Sequence, residues 1–402
     1  MREIPQTAQR GRRAGAPDLD RLPPGEHLAA PGQNDPLGSG QGRHHRRQGS
    51  LHVAGTPVPA ALGRHPERAQ TVTRRSFVAA AGTAAAGAAP RRTTLGAASD
   101  CFPSRRGLST LELIELAAQF GSSGTQGALT SLEPDFARQV RARLDALGMF
   151  LVVSVSPVQK DFSRFVQTVK MAKEAGAVAL RAATGGRRYE DFNTLAERQA
   201  HLDRVLKAIR EAVPVVEAAR IPLGIENHKD FTLQEQIKLL KGYSSEYLGA
   251  CIDTGNNISI LEDPIEVVEG LAPFGVSSHL KDAVLEEYAE GFLLGDIALG
   301  DGMLDLKRVL AALRKHRPGI YLTLEMITRD PLRVPCLTDK YWATFPEKNG
   351  IDLARTLRLV RANKPKAPLV HVSGAPPEAL RRMETENITR SLTYARESLG
   401  LV

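Results

Sequence analysis

From about residue 94 onward, short apolar runs rich in β-branched residues alternate with stretches whose apolar positions recur at i, i+3, i+4 and i+7. The short runs predict strands at 95–102, 127–131, 150–155, 177–182, 222–226, 248–253, 276–281 and 320–325. Between them the helical period is plain. Leu202, Val205, Leu206, Ile209 and Val213 fall on one stripe, as do Leu306, Val309, Leu310 and Leu313. Such a stripe packs a helix onto a sheet. Eight strand–helix units in roughly 270 residues match the size of an α/β fold of the (β/α)8 barrel type. A doubly wound open sheet is the competitor, but no G-x-G-x-x-G or Walker loop follows the first strands, and the barrel is expected. One more amphipathic helix, at 376–399, lies beyond the eighth unit. It is placed either to close the barrel bottom or to join a partner subunit in a homo-oligomer.

The first part of the chain has a different texture. Residues 1–76 hold no Phe, Tyr or Trp, and Gly and Pro are frequent. Such a segment buries too little apolar surface to offset its chain entropy, so residues 1–72 are expected to be disordered or a mis-annotated extension. Val72 directly precedes "TRRSFV", and a valine codon can serve as a start. Residues 73–90, "TRRSFVAAAGTAAAGAAP", pair Arg74 and Arg75 with a small-residue run ending in A-x-A-like positions. This pattern predicts a twin-arginine export signal and a periplasmic or extracytoplasmic protein, cytoplasmic if the segment is only an Ala-rich linker. The barrel is then expected over 91–402.

Charge follows the same division. Of the net +8, residues 1–90 contribute +6 and the remainder only +2. A nucleic-acid partner is therefore not expected, because the basic excess lies outside the predicted barrel. The three cysteines, Cys101, Cys251 and Cys336, form no C-x-x-C pair. That excludes a disulfide framework and a zinc knuckle. No run approaches the length of a transmembrane helix, so stable membrane insertion is not expected.

Candidate chemistry collects at the predicted strand ends, which converge on one mouth of such a barrel. The fifth strand, in "PLGIENHKD", ends in Glu226, with His228 two residues on. The sixth, in "LGACIDTGNN", ends in Asp253, followed by Asn256. The seventh, in "VSSHLKDA", carries His279 and Lys281. The eighth, in "IYLTLEMITRD", ends in Glu325. Glu226, Asp253 and His279 are 27 and 26 residues apart, about one βα repeat each. The step of 46 to Glu325 leaves room for an inserted excursion over 283–304. Three carboxylates packed together raise one another's pKa unless a cation neutralises them. Oxygen ligands with one nitrogen favour a single Mn²⁺, Mg²⁺ or Co²⁺, with Zn²⁺ also able to fit.

The segments "IENH", "DTGN", "HLKD", "LGDG" and "LEM" resemble the xylose-isomerase-like barrel superfamily over roughly residues 94–360. Its members include sugar isomerases and epimerases, inosose dehydratase and endonuclease IV. The resemblance implies that Glu226, Asp253, His279 and Glu325 bind one divalent metal, and that Glu226 and Glu325 exchange the substrate proton from opposite faces. One departure is visible: many epimerases carry a His three residues after the metal Asp, where this chain has Asn256.

The expected substrate is a sugar or keto-sugar, and the expected reaction an isomerisation or epimerisation. A metal held by a carbonyl and an adjacent hydroxyl acidifies the intervening C–H, and a carboxylate removes that proton to give a metal-stabilised enediolate. Lys281 is placed to stabilise oxyanion charge and His228 to bind or protonate a hydroxyl, with a salt bridge to Asp282 or Asp301 as the plainer role for Lys281. Lys229 and Asp230 are expected to be ordinary loop charges. Arg181, at the end of the fourth strand, is a candidate for a substrate carboxylate or phosphate, or simply pairs with a barrel acid. Trp342, beside Tyr341 in the long connection after Glu325, is a candidate sugar-stacking face or loop packing. The same residues also suit a lyase or dehydratase acting on a 3-keto-sugar or glycoside. An endonuclease IV-like phosphodiesterase needs more histidines at strand ends than His228 and His279. A non-catalytic sugar-binding protein would have no need of four ligands. Export makes a non-phosphorylated sugar the expected substrate.

Overall fold

The computed structural model describes residues 93–156, 161–365 and 368–402. The extension 1–72 and the twin-arginine segment 73–90 lie outside the described residues. Eight strands close into a barrel: β1 (Gly96–Ala98), β2 (Gly124–Gly127), β3 (Phe150–Val155), β4 (Ala179–Ala182), β5 (Leu223–Glu226), β6 (Leu248–Asp253), β7 (Gly275–Leu280) and β10 (Tyr321–Leu324). Around the ring the order is β1, β10, β7, β6, β5, β4, β3, β2, and every pairing is parallel. This is the predicted (β/α)8 architecture. The third and sixth strands fall on the predicted residues, while β2 starts and ends ahead of the expected 127–131.

Capping decides where several outer helices begin. Thr110–Gln119, Leu195–Ala219 and Leu233–Tyr243 follow Ser109, Thr194 and Thr232. Each capping hydroxyl accepts from the backbone of a glutamate three residues on, and that glutamate returns a bond to the cap. Such reciprocal boxes satisfy two of the N–H groups a helix start leaves open.

β6 and β7 are brought close by a glycine. A Cβ on Gly249 would stand 2.3 Å from the carbonyl oxygen of Phe274. Just beyond it the register of β6 on β7 shifts at Ala250/Cys251, which sets Asp253 opposite His279. Gly249→Ala is therefore expected to destabilise the barrel by about 2 kcal/mol, a typical cost of overpacking against an unyielding neighbour. The check is the denaturant midpoint, which should fall; an unchanged midpoint would show that the Phe274 carbonyl moves freely.

The excursion after β7 is a hairpin. β8 (Asp282–Tyr288) and β9 (Gly291–Ile297) pair antiparallel, and β11 (Leu332–Val334) adds a third strand on β9. The carboxylate of Asp282 gathers the returning chain, accepting from the backbone N–H groups of Ala283, Gly300, Gly302 and Leu304 at 2.9–3.1 Å. The helix Gly350–Ala362 packs against β8. The final helix, Pro377–Glu397, and the turn after it reach both flanks of β1. Glu384 meets Ser104 and Arg105 beyond one end of β1, and Leu401 meets Thr93 and Thr94 before the other. Among the described residues no helix is long and apolar enough to cross a membrane.

Candidate metal centre

Four neighbouring strands deliver the predicted acids and imidazole to one point. Glu226 and Asp253 are the last residues of β5 and β6, His279 is the penultimate residue of β7, and Glu325 directly follows β10. His279 stands opposite Asp253 on one side and Thr323 on the other. One ligand atom from each of Glu226, Asp253, His279 and Glu325 lies within 4.8 Å of the others, and all four residues are buried.

Nδ1 of His279 is the hub. It lies 3.3 Å from Glu226 Oε1, 3.3 Å from Glu325 Oε1 and 3.6 Å from Asp253 Oδ2. Yet neither Nδ1 nor Asp253 Oδ2 makes a well-directed hydrogen bond, although both are sealed from solvent and Oδ2 has the Lys281 ammonium at 3.3 Å. Buried polar atoms left without partners are costly. Burial works against charge on His279, Glu226 and Glu325, but attraction between opposite charges prevails. The imidazole is pushed well above its ordinary pKa by Cys251, Glu325 and Glu226. The Glu226 carboxyl is held at about 2 by Arg181 and His279, and that of Glu325 well below its usual range by His279 and Lys281. The protein thus places a positive charge where three carboxylates meet. A divalent cation with three oxygen donors and one nitrogen donor fits that place and would satisfy the orphaned atoms.

A ring of polar side chains surrounds the four. Arg181 on β4 forms an ion pair with Glu226 Oε2. Lys281 Nζ lies 2.6 Å from Glu325 Oε2 and 3.3 Å from Asp253 Oδ2, so its partners are these acids rather than Asp282 or Asp301. Asp282 caps the hairpin, and Asp301 pairs with Arg390. The amide nitrogen of Asn256 donates to Glu226 Oε1 at 3.2 Å, and its oxygen accepts from Lys281 Nζ at 3.3 Å. Each glutamate therefore turns one oxygen to the hub and the other to a cation.

The loop carrying His228 is built differently from the sequence expectation. Lys229 and Asp230 are buried, not loop charges facing water. Lys229 takes a left-handed backbone (φ 59°), and its ammonium donates to Glu190 Oε1 at 2.8 Å. Asp230 accepts from the backbone N–H of His228 at 3.0 Å, from that of Phe231 at 2.8 Å, and from the Thr184 hydroxyl. These bonds tie the loop after β5 to the loop after β4 and fix the backbone of half-buried His228, two residues beyond Glu226. Trp342 is engaged elsewhere. Its indole N–H donates to the Cys336 carbonyl at 2.9 Å, and the ring meets Tyr341 edge-on. Tyr341 is buried, stacks on Phe345 and donates its hydroxyl to Ser259 O at 2.8 Å. The aromatic pair packs the long loop onto the barrel, and no bond places Trp342 at the four-residue cluster.

Two contributors escape the sequence reading. Gln126 on β2 is buried with both amide atoms near His279 Nε2, at 2.7 and 3.0 Å. A lone glutamine between Gly124 and Gly127 gives no periodic signal, and only its position inside a buried run could have marked it. Asp296 on β9 lies 4.0 Å from Lys281 Nζ and accepts from Arg329 Nε at 2.7 Å. This links the inserted hairpin to the centre.

Among curated proteins, the chain is 26% identical over 234 residues to 3-oxo-isoapionate decarboxylase of Pectobacterium atrosepticum, covering 57% of this chain and 80% of that protein. It is 26% identical over 144 residues to the uncharacterised protein YihM of Escherichia coli, covering 35% of this chain and 43% of YihM. Among solved structures, L-ribulose 3-epimerase is 15% identical with a TM-score of 0.45, covering 73% of this chain and 97% of that one. A xylose isomerase-like TIM barrel protein from Mycobacterium smegmatis, in complex with magnesium, is 14% identical with a TM-score of 0.47, covering 66% and 98%. The family model described as xylose isomerase-like TIM barrel matches residues 114–343, a span that includes all four clustered residues and more than half of the chain. By that match, this chain belongs to the xylose isomerase-like TIM barrel family.

Proposed function

We propose that this protein is a divalent-metal-dependent enzyme that isomerises or epimerises a sugar or keto-sugar by moving a proton at the carbon next to a carbonyl. The observation that carries this reading is the paired arrangement of Glu226 and Glu325. Each turns one oxygen to His279 Nδ1 at 3.3 Å and the other to a cation. Glu226, Asp253, His279 and Glu325 would hold the metal, Mn²⁺, Mg²⁺ or Co²⁺ suiting three oxygens and one nitrogen best. Bound there, it would supply Lewis-acid polarisation of the substrate's carbonyl oxygen.

The chain's own residues do the rest. Glu325, ionised and next to Lys281, is the base that takes the proton from carbon. The Lys281 ammonium supplies N–H donors where negative charge develops on oxygen. Glu226, steadied by Arg181 and Asn256, takes the proton of a substrate hydroxyl and returns it to carbon from its own side. Glu325 gives the proton it took to the oxygen left behind, and His228 binds a substrate hydroxyl. Residues 73–90 serve as an export signal in this reading, and the substrate is non-phosphorylated.

A second reading, a lyase on a 3-keto-sugar, glycoside or keto acid, has its own support. Asn256 stands where a proton-exchanging histidine would serve an epimerase, and Lys281 places an acid beside a single base. The curated relative named as a decarboxylase points the same way. The test is incubation of chelator-stripped protein, resupplied with Mn²⁺, Mg²⁺ or Co²⁺, with keto-sugars in D₂O. Metal-dependent deuterium at the carbon beside the carbonyl is expected. An epimer or isomer as product supports the first reading, and release of water, carbon dioxide or an aglycone the second. Absence of deuterium and of product with every metal would overturn both.

A further inference from the structure

We propose that Gln126 decides which nitrogen of His279 carries the proton, and so leaves Nδ1 as the electron pair offered to a divalent cation. The proposal rests on the metal reading above. Gln126 belongs to β2, which is separated from β7 around the ring by β1 and β10. Its side chain must therefore cross the barrel interior to reach His279. Gln126 is 1% exposed and His279 is 0% exposed, so water does not take the place of either partner.

A neutral imidazole has one N–H and one bare nitrogen. With the proton on Nε2, the amide oxygen of Gln126 accepts it, and Nδ1 turns a lone pair toward Glu226, Glu325 and Asp253. A lone pair facing three carboxylates is tenable only with a cation between them. Without a cation the carboxylates hold a proton on Nδ1, and the Gln126 amide faces Nε2 with an acceptor where that nitrogen is protonated and a donor where it is bare. The two amide atoms straddle Nε2 at 2.7 and 3.0 Å, a position from which half a turn of the terminal amide exchanges the two roles. A carboxamide serves both states, whereas a carboxylate at this position could only accept. Gln126 thus keeps the imidazole in one place while the Nδ1 proton gives way to a cation. It is a positioning residue: it acts on the metal through His279 and touches neither metal nor substrate.

The experiment is a titration of Mn²⁺ into chelator-stripped full-length protein, comparing the parent with Gln126→Leu and Gln126→Glu. Outer partners of metal-bound histidines are worth about 10–100-fold in metal affinity, and Gln126→Leu is expected to lose that much. Gln126→Glu is expected to bind Mn²⁺ at least as tightly as the parent, because a carboxylate accepts from Nε2–H. A glutamine that merely fills space would show the reverse, since leucine fills the same volume without burying a charge. Parent-like affinity in Gln126→Leu overturns the proposal, and so does a loss of about tenfold or more in Gln126→Glu. If Gln126→Leu does not fold, the glutamate variant alone decides by the same criterion. A parent that binds none of Mn²⁺, Mg²⁺ or Co²⁺ fails at the metal reading itself, a result distinct from any difference between the variants.

Discussion

Glu325→Gln is expected to lower turnover of a keto-sugar substrate by about 10³-fold, within the range a positioned general base contributes. The substitution keeps size and one oxygen donor while removing the proton acceptor. It also takes the anion away from Lys281, whose ammonium lies 2.6 Å from Glu325 Oε2. Lys281 retains Asp253 at 3.3 Å and the Asn256 amide oxygen at 3.3 Å, so it is not stranded. Mn²⁺ titration of the variant separates loss of the base from loss of the metal. A variant that holds metal and turns over within tenfold of the parent would remove Glu325 from proton transfer.

The largest effect on stability is expected from Arg188→Met, far in sequence from the four clustered residues. Arg188 has a fully buried side chain that pairs with Glu235 at 3.1 Å and with Glu347, and its guanidinium lies 4.5 Å from the Phe345 ring centre. Removing one partner of a buried ion pair costs about 3–5 kcal/mol. Here Glu235 keeps Arg198 at 2.7 Å and Glu347 is half-exposed. A loss of about 3 kcal/mol, at the lower end of that range, is therefore expected. For a chain of this size that corresponds to a melting temperature lower by roughly 4–5 °C. The cation joins the loop after β4 to the helix after β5 and to the loop after β10. A melting temperature within a degree of the parent would show that these segments hold together without it.

The cluster of Glu226, Asp253, His279 and Glu325 was legible because its members sit at repeated positions. Glu226, Asp253 and His279 come one βα unit apart, each at the end of an apolar run, and that regularity survives in a linear string. What was missed depends on partners from other units. Lys229 and Asp230 look like solvated charges until Glu190 and Thr184, about 40 residues earlier, are folded against them. Gln126 carries no pattern at all, since its meaning comes from a histidine 153 residues away. The hairpin over β8 and β9 was expected only as an excursion, because mixed polar and apolar positions in "DAVLEEY" match a strand covered on one face rather than a buried barrel strand. Trp342 shows how two readings of one residue divide. An aromatic in a loop at the mouth suggests a ligand, whereas its indole N–H is spent on the loop's own backbone.

The final helix carries a kinetic consequence. Glu384 reaches Ser104 across 280 residues, and Leu401 reaches Thr93 across 308. The segments flanking β1 therefore gain these partners only when distant chain has been made and has returned. Contacts of such separation bear a large loop-closure cost before they contribute anything, and they slow folding. Until then the backbone N–H groups of Thr94 and Ser104, on either side of β1, lack these partners and are open to a chaperone or to a second unfinished chain.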